Sequence, residues 1–339
     1  MFRVGLSHDL RPAPGGRGPT SWGDIGLRGL EEAGVTWEFL PPDDGELVAD
    51  RYDAVLFAGP AVTARTVSGD RPPLLLARFG VGLDTVDLDA CTAAGVAVTI
   101  TPDGARRPVA TAALTLMLAV GHNLLGKDQL VRQARWENKL ALMGRGLTGR
   151  RVGTIGFGNI AVELFDLLQP FATSNYTADP YRDARDTEAH GVTLLSLEDL
   201  LRTCDIVVIT AALTPGTHRL IDRERLSLMG EDAILINVAR GPIVDTAALA
   251  EALASGQIAG AGLDVFDPEP LPAGHPLLDL PNVVLSPHAL AWTDEMALGN
   301  GRSAVSSILA VRSGERPPYL ANPAVLDHDR FRLGEGAPR

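Results

Sequence analysis

The hydrophobic and polar positions of the chain form two series of short apolar runs separated by longer amphipathic stretches. In the first series, the apolar runs predict buried strands at residues 2–6, 36–40, 54–57, 74–77 and 96–99. Helical spacing lies between them at residues 25–33 and 87–94. Strands that alternate with helices are typical of βαβ units, and they predict a parallel sheet covered by helices on both faces.

A second series of the same kind follows a long apolar stretch at residues 107–125, which predicts a helix with Pro108 in its first turn. Its strands are predicted at residues 152–156, 174–178, 206–210, 234–238, 259–264 and 283–286. Its helices are predicted at residues 160–168, 197–202 and 246–255. The predicted fold class is therefore α/β, with two doubly wound, Rossmann-like parallel-sheet domains and a cleft between them.

One further helical pattern, at residues 292–311, comes after the second series is complete, so we expect it to pack on the first domain. The first domain then comprises residues 1–103 and 291–330, and the second comprises residues 104–290. The sequence from Arg316 onward is rich in proline, glycine and charge, which predicts mobility and a tail at residues 331–339.

Composition narrows the classes of function. A net charge of -12 and a pI near 5.0 argue against binding to nucleic acid or to an anionic membrane. Cys91 and Cys204 show no CxxC or metal-ligand spacing, which predicts two buried thiols in a reducing compartment and no metal site. No signal peptide is visible, and the longest apolar run, residues 109–120, is too short to span a bilayer. We therefore expect a cytoplasmic protein.

A glycine-rich turn opens the second series. Residues 151–161 read RVGTIGFGNIA, a GxGxxA pattern between a predicted strand and a predicted helix. Gly156 permits a tight turn, Gly158 lets a pyrophosphate approach the backbone, and Ala161 lets the helix pack closely. The free N–H groups of the helix N-terminus would then bind the pyrophosphate, which predicts a dinucleotide site.

The next predicted strand is followed by Asp179, the expected place for a carboxylate that holds the ribose hydroxyls of the adenosine. A carboxylate there repels a 2′-phosphate, so NAD (NADH) is predicted rather than NADP. Arg182 and Arg185 lie nearby and leave that preference open.

Three more segments, LINVARGPIVD at 235–245, GLDVFDPEP at 262–270 and LSPHA at 285–289, each lie at or after the end of a predicted strand. Together with the glycine-rich turn they resemble the D-2-hydroxyacid dehydrogenase family (D-isomer specific, NAD-binding), and the resemblance extends over residues 50–312. It implies that the second domain binds NAD and that the first binds substrate. The implied activity is hydride transfer between the nicotinamide and the 2-carbon of a small 2-keto or 2-hydroxy acid.

The resemblance also implies a catalytic set of Arg240, Glu269 and His288. Arg240 would bind the substrate carboxylate and polarise its carbonyl. His288 would exchange a proton with the carbonyl oxygen and also lie at the cofactor, while Glu269 would orient the imidazole and favour its charged form. Asp264 would lie near the nicotinamide carboxamide. Further cofactor contacts are predicted at Asn159, Ile160, Thr210, Ala211, Val238 and Ala239.

Substrate contacts are predicted mainly from residues 77–89, ARFGVGLDTVDLD. In the family this loop offers backbone N–H groups to the substrate carboxylate, here those of Val81 and Gly82. Arg78 is a candidate second donor, although a strand-end arginine in solvent explains it too. Trp292 either walls the pocket or packs in the core.

Residues 101–111, TPDGARRPVAT, depart from the family pattern at Gly104 and Thr111. The basic pair Arg106 and Arg107 either binds a second anionic group or is simply solvated. These departures keep open a dehydrogenase for an unusual small anion, such as a phosphonate or phosphite. An alternative of another class is an NAD(H)-sensing binding protein.

Two features remain. Family resemblance implies a homodimer formed through the second domain, with the helix at 107–125 as the expected contact. The segment Ser7-His8-Asp9 ends the first strand and has no predicted role.

Overall fold

The described part of the chain, in a computed structural model, comprises residues 2–12, 14, 18–42 and 44–331. It divides into two units, of which unit 1 comprises Met1–Pro108 with Trp292–Arg339 and unit 2 comprises Val109–Ala291. Each unit is built on one all-parallel sheet, which confirms the predicted α/β class with two parallel sheets. Residues 332–339 of the predicted tail lie outside the described residues.

The sheet of unit 1 has five strands in the order β2-β1-β3-β4-β5. They are β1 (Arg3–Leu6), β2 (Thr36–Phe39), β3 (Ala54–Phe57), β4 (Leu75–Arg78) and β5 (Ala97–Thr99). Every side chain of β3 is buried, as expected for a central strand with helices on both faces. Because the strand order reverses between β1 and β3, the segments that follow these two strands flank the crevice at the carboxyl edge of the sheet.

The first three helices are α1 (Arg28–Glu32), α2 (Leu88–Ala93) and α3 (Pro102–Gly121). The prediction for α3 was wrong at both ends. Pro102 occupies the first helical position, where a missing N–H costs nothing, and Pro108 lies inside the helix rather than in its first turn. The division between the two units falls within α3, after Pro108.

The sheet of unit 2 has seven strands in the order β12-β11-β10-β9-β6-β7-β8. They are β6 (Arg151–Ile155), β7 (Ser174–Ala178), β8 (Thr193–Leu194), β9 (Ile206–Ile209), β10 (Ile234–Asn237), β11 (Gly260–Leu263) and β12 (Val283–Leu285). Apolar clusters cover both faces, one packed around Leu235 and Leu249 and the other around Leu116 and Leu164. The strand order reverses between β6 and β9, so a ligand crevice is expected where these two strands end.

Besides the second part of α3, six helices lie wholly within unit 2. They are α4 (Leu124–Arg132), α5 (Asn159–Leu168), α6 (Ala184–Glu188), α7 (Leu197–Thr203), α8 (Arg223–Leu226) and α9 (Thr246–Ala254). In the described ranges, no single helix is long and apolar enough to cross a membrane, although α3 and α4, bent by 58°, pass that test as a pair.

The last helix, α10 (Asp294–Arg312), lies in unit 1 and begins at Thr293, whose hydroxyl accepts a hydrogen bond from the Met296 N–H. Ala304 and Ile308 of this helix join the apolar cluster formed with the strands. The helix approaches α3 so closely that a Cβ at Gly104 would lie 2.1 Å from the Asn300 nitrogen.

The prediction that the chain is mobile from Arg316 onward was wrong for residues 316–331. Asn322 is buried, accepts a hydrogen bond from the Val98 N–H at 2.8 Å and donates to the Val96 carbonyl at 2.9 Å. Phe331 is buried too. The polar composition of this segment was misleading because the Asn322 amide and the main chain of Tyr319 and Ala321 together satisfy the unpaired edge of β5.

Candidate active site

The glycine-rich turn of unit 2 joins β6 to α5. Gly156 has a φ of +94°, and a Cβ there would lie 2.9 Å from the Ala211 Cα, so glycine is required twice over. A Cβ at Gly158 would meet no atom within 4 Å. Within the described part of the chain, no side chain caps the N-terminus of α5, and open space lies beside it. This cradle fits a pyrophosphate, because the first N–H groups of the helix are left for an anion.

Asp179 lies at the end of β7, and its carboxylate is held by the main chain. One oxygen accepts the Phe157 N–H at 2.8 Å and the other accepts the Tyr181 N–H at 2.9 Å. The carboxylate is thus fixed next to the glycine-rich turn, where a ribose is expected. Arg182 and Arg185 are both exposed.

Thr210 and Ala211 lie across the switch point from the glycine-rich turn. The Thr210 hydroxyl donates to the Gly156 carbonyl at 2.9 Å, and Ala211 packs against Gly156. The two predicted cofactor contacts therefore also fix the turn. Asn159 and Ile160 form the first turn of α5.

The end of β10 carries Arg240 and depends on a residue that sequence reasoning missed. Asn237 is fully buried, accepts the Ala239 N–H at 3.0 Å and donates to the Arg240 carbonyl at 3.0 Å. It fixes the short loop through Val238 and Ala239 that presents the arginine. An asparagine in an otherwise apolar strand was the available signal, because a buried amide has to be satisfied.

Gly241 was also missed. A Cβ there would lie 1.8 Å from the Phe266 carbonyl oxygen, so any other residue would push the Arg240 loop away from the loop that follows β11. The glycine thus brings the loops of Arg240 and Glu269 together.

The predicted contact between Glu269 and His288 is present. His288 Nδ1 lies 2.9 Å from one oxygen of Glu269, and the other oxygen accepts the Phe266 N–H at 2.8 Å. The carboxylate is anchored to the backbone, so the hydrogen bond sets the orientation of the imidazole and leaves Nε2 as its outward nitrogen. Both side chains remain partly exposed. His288 itself adopts a left-handed backbone conformation, with φ of +56°.

Asp264 is buried, and one of its oxygens accepts the N–H groups of Ala289 and Leu290, each at 3.1 Å. It therefore holds the chain immediately after His288. This contact was not foreseen when Asp264 was predicted at the nicotinamide carboxamide.

An apolar groove adjoins the pair and was not predicted. It has a volume of about 520 Å³, and Glu269 and His288 form part of its wall. The remaining walls are Phe266, Pro270, Leu271, Leu278, Leu285, Ser286 and Pro287.

In unit 1, the loop after β4 presents free amides. In the described ranges, the N–H groups of Val81 and Gly82 have no protein acceptor. The Thr101 hydroxyl accepts the Gly80 N–H at 2.7 Å. Arg78 Nε donates to the Gly82 carbonyl at 3.1 Å, and Nη1 also donates to the Ala58 carbonyl. Arg78 thus shapes the loop through main-chain carbonyls.

Trp292 does not pack into the core of unit 1. It is 57% exposed, and its ring centroid lies 4.3 Å from that of Trp22. Trp22 in turn lies 5.1 Å from Phe79, edge to face. The sequence analysis did not predict a role for Trp22.

Ser7 and Asp9 tie β1 to the end of β3. The Ser7 hydroxyl accepts the Ala58 N–H at 3.2 Å, and Asp9 accepts the Gly59 N–H at 2.7 Å. The Ser7 hydroxyl also donates to Asp9 at 2.5 Å. These two residues therefore fix the carboxyl edge of the sheet.

The departures in α3 have partly structural explanations. Gly104 lies at the crossing with α10, where a side chain would clash with Asn300. Arg106 forms a 3.4 Å ion pair with Asp103, which also accepts a hydrogen bond from Tyr319.

Comparison with known proteins agrees with this architecture. Residues 114–289 match the model of the D-isomer specific 2-hydroxyacid dehydrogenase family, NAD binding domain. A glyoxylate reductase of Thermofilum pendens is 39% identical over 257 residues, which are 74% of this chain and 76% of that protein. The chain belongs to this family. It is an oxidoreductase that binds NAD and acts on the CH–OH group, as predicted.

Solved structures extend the similarity over nearly the whole chain. A protein from Thermus thermophilus is 33% identical with a TM-score of 0.82, covering 94% of this chain and 100% of its own. An NADPH-dependent glyoxylate/hydroxypyruvate reductase from Sinorhizobium meliloti, in complex with NADP and malonate, is 28% identical with a TM-score of 0.78. That match covers 99% of each chain.

Proposed function

We propose that this enzyme interconverts small 2-keto acids and D-2-hydroxy acids with NADH and NAD, and that His288 is the proton donor and acceptor. The observation that carries the proposal is the hydrogen bond between Glu269 and His288, in which the carboxylate is also anchored to the backbone. Relatives named glyoxylate reductase support a small 2-keto acid as the substrate.

Side chains of this protein carry out the proton transfer. The chemistry that a bound nicotinamide supplies is hydride transfer to or from the substrate 2-carbon. His288 Nε2 donates a proton to the carbonyl oxygen as the alcohol forms, and accepts it back in the oxidation direction. Glu269 holds the ring in one orientation and stabilises the imidazolium ion by an ionic hydrogen bond.

A second group of residues binds the substrate carboxylate. Arg240 binds the carboxylate and polarises the carbonyl through its planar fork of donors. In unit 1, the N–H groups of Val81 and Gly82 provide acceptor-free donors for a carboxylate, and Arg78 keeps their loop in shape.

NADH rather than NADPH is the proposed cofactor because Asp179 is an anchored carboxylate beside the glycine-rich turn. A 2′-phosphate there would meet a fixed negative charge. The Sinorhizobium relative is named NADPH-dependent, so the preference of this chain needs its own test.

We further propose a cytoplasmic homodimer formed through unit 2. Exposed apolar side chains cluster on α4 and on the segment that follows it, namely Leu124, Leu125, Val131, Trp136, Leu140 and Met143. A second copy of the chain would cover them, as exposed patches of this kind commonly mark interfaces. Light scattering of the Leu140→Asp, Met143→Asp double variant should then show a monomer.

The unusual-anion alternative has lost part of its support, because the close crossing with α10 accounts for Gly104 without any change of substrate.

The test is oxidation of NADH and of NADPH with glyoxylate, hydroxypyruvate, pyruvate, bulky keto acids and phosphonopyruvate. We expect NADH-dependent turnover that is lost in His288→Ala and kept in His218→Ala, a control at an exposed histidine. Arg240→Ala should lose turnover while NADH binding stays nearly intact. Tight NADH binding without turnover of any keto acid would refute the proposal.

A further inference from the structure

We infer that Trp22 and Trp292 form a binding site for an aromatic substrate side chain, so that the preferred substrates are 2-keto acids with an aryl group. The inference rests on the proposed function. It adds the class of the 2-substituent, which the names of the glyoxylate reductase relatives do not indicate, because glyoxylate has no side chain.

The first observation is the aromatic stack itself. Phe79 is buried at the end of β4, Trp22 packs on its edge, and Trp292 covers Trp22 with ring planes 48° apart. The stack thus leads from the core of unit 1 to an outer indole that is 57% exposed. Aromatic rings at such separations favour offset or edge-on contacts with another ring, so the outer indole is suited to a planar aryl group.

The second observation is the position of the stack relative to the carboxylate donors. Phe79, its base, is followed directly by Gly80 and then by Val81 and Gly82, whose N–H groups find no acceptor among the described residues. Gly80 is fixed by Thr101 on the other side. The loop that offers the carboxylate donors therefore also carries the base of the aromatic stack, and an arylpyruvate has one group suited to each.

The third observation is that Trp22 is held in place rather than loosely attached. It lies in a turn closed by hydrogen bonds in both directions between Thr20 and Gly23. Ser21 binds that turn to the short helical turn after β1, since its N–H donates to the Leu10 carbonyl and its hydroxyl to the Asp9 carbonyl, at 2.9 and 2.8 Å. A preorganised indole loses little freedom on binding.

The experiment compares phenylpyruvate with pyruvate, two substrates that differ by one phenyl group. In the full-length enzyme with NADH, we expect a higher kcat/KM for phenylpyruvate. In Trp22→Leu that advantage should fall roughly tenfold, while kcat/KM for pyruvate changes little. Trp22→Phe should restore much of it, and Trp37→Phe, on the edge strand β2, is the matched control.

Trp292→Leu guards against misfolding of the Trp22 variants, because this exposed side chain can be removed with little loss of packing. It should lower the same ratio. Equal ratios in wild type and in both leucine variants would overturn the inference and leave the proposed function standing.

A binding measurement separates the two failures. Quenching of tryptophan fluorescence by D-phenyllactate, but not by D-lactate, is expected for the wild-type protein and should be lost in the Trp22→Leu, Trp292→Leu double variant. This readout needs no turnover. An absence of turnover with every keto acid would refute the proposed function, whereas equal quenching by both lactates would refute the aromatic site.

Discussion

The carboxyl edges of the two sheets present different chemical groups. In unit 2 the edge carries acidic side chains that the main chain holds in place, with Asp179, Asp264 and Glu269 each accepting backbone N–H groups. In unit 1 the edge that the substrate would meet offers free amides at Val81 and Gly82 beside a stack of aromatic rings.

The proposed function assigns a different task to each of these two edges. Proton transfer needs charged groups whose positions are fixed before the reaction, because reorienting them during the reaction would cost activation energy. Discrimination between side chains needs shape and apolar surface instead. Changes at the two edges should therefore have separable effects.

The largest expected effect is that of Glu269→Gln. The amide keeps the size of the side chain but removes the charge that stabilises the imidazolium, so kcat should fall by about a hundred- to a thousandfold. The phenylpyruvate-to-pyruvate ratio should stay as in the wild type. Steady-state kinetics with both substrates tests this. A change in the ratio would contradict the expectation that the two edges have separable effects.

Gly104→Ala should come next, and its effect should be on stability. The added methyl group would meet the Asn300 nitrogen at 2.1 Å, where two helices of unit 1 cross. Such overpacking costs about 2–3 kcal/mol, to be measured as the free energy of unfolding in denaturant. Ala112→Gly, another buried position of the same helix, provides a comparison at a site without that crossing. An unchanged stability would mean that α3 and α10 can shift apart freely.

Asp179→Asn should have a smaller effect, confined to the cofactor. Removing the fixed charge should narrow the preference for NADH over NADPH by roughly tenfold, without changing the choice of keto acid. Dissociation constants for the two reduced cofactors test this directly. A preference that survives the change would assign the ribose to another residue.

The smallest effect is expected at the opposite edge of the same sheet. Burial alone would raise the pKa of Asp205, but hydrogen bonds from the Arg151 side chain and backbone lower it below 3.8. The resulting stabilisation is present above pH 3.8 and is lost as the pH falls through the lowered value. Asp205→Asn should therefore cost about 1 kcal/mol at pH 7, with activity unchanged, and this cost should shrink as the pH falls below 3.8. The free energies of unfolding of the variant and the wild type, measured in urea at pH 7 and below pH 3.8, test this expectation.

Sequence reasoning predicted the parts of the fold that depend on local pattern. Strands buried on both faces produce apolar runs, so β3, β9 and β10 were found at nearly their true limits. The start of α3 was misplaced because Pro102 and Pro108 are both suited to the first helical position, and the helix begins at Pro102.

Among the candidate site residues, sequence reasoning selected those whose side chains carry chemistry and missed those whose role is geometric. Glu269 and His288 were paired correctly from family resemblance. Asn237 and Gly241 were missed because their roles depend on distant neighbours, such as the Phe266 carbonyl. Trp22 was missed because its ring partners lie 57 and 270 positions further along the chain.

The discontinuity of unit 1 has a consequence for synthesis on the ribosome. Unit 2 is one uninterrupted segment, Val109–Ala291, whereas β5 awaits Asn322 and the apolar face of the first sheet awaits α10. At about 5–20 residues per second, roughly 10–40 s separate the emergence of β5 from that of α10. Although its strands emerge first, unit 1 should be the last to protect its backbone amides from hydrogen exchange. Its unfinished sheet should bind chaperones in the interval.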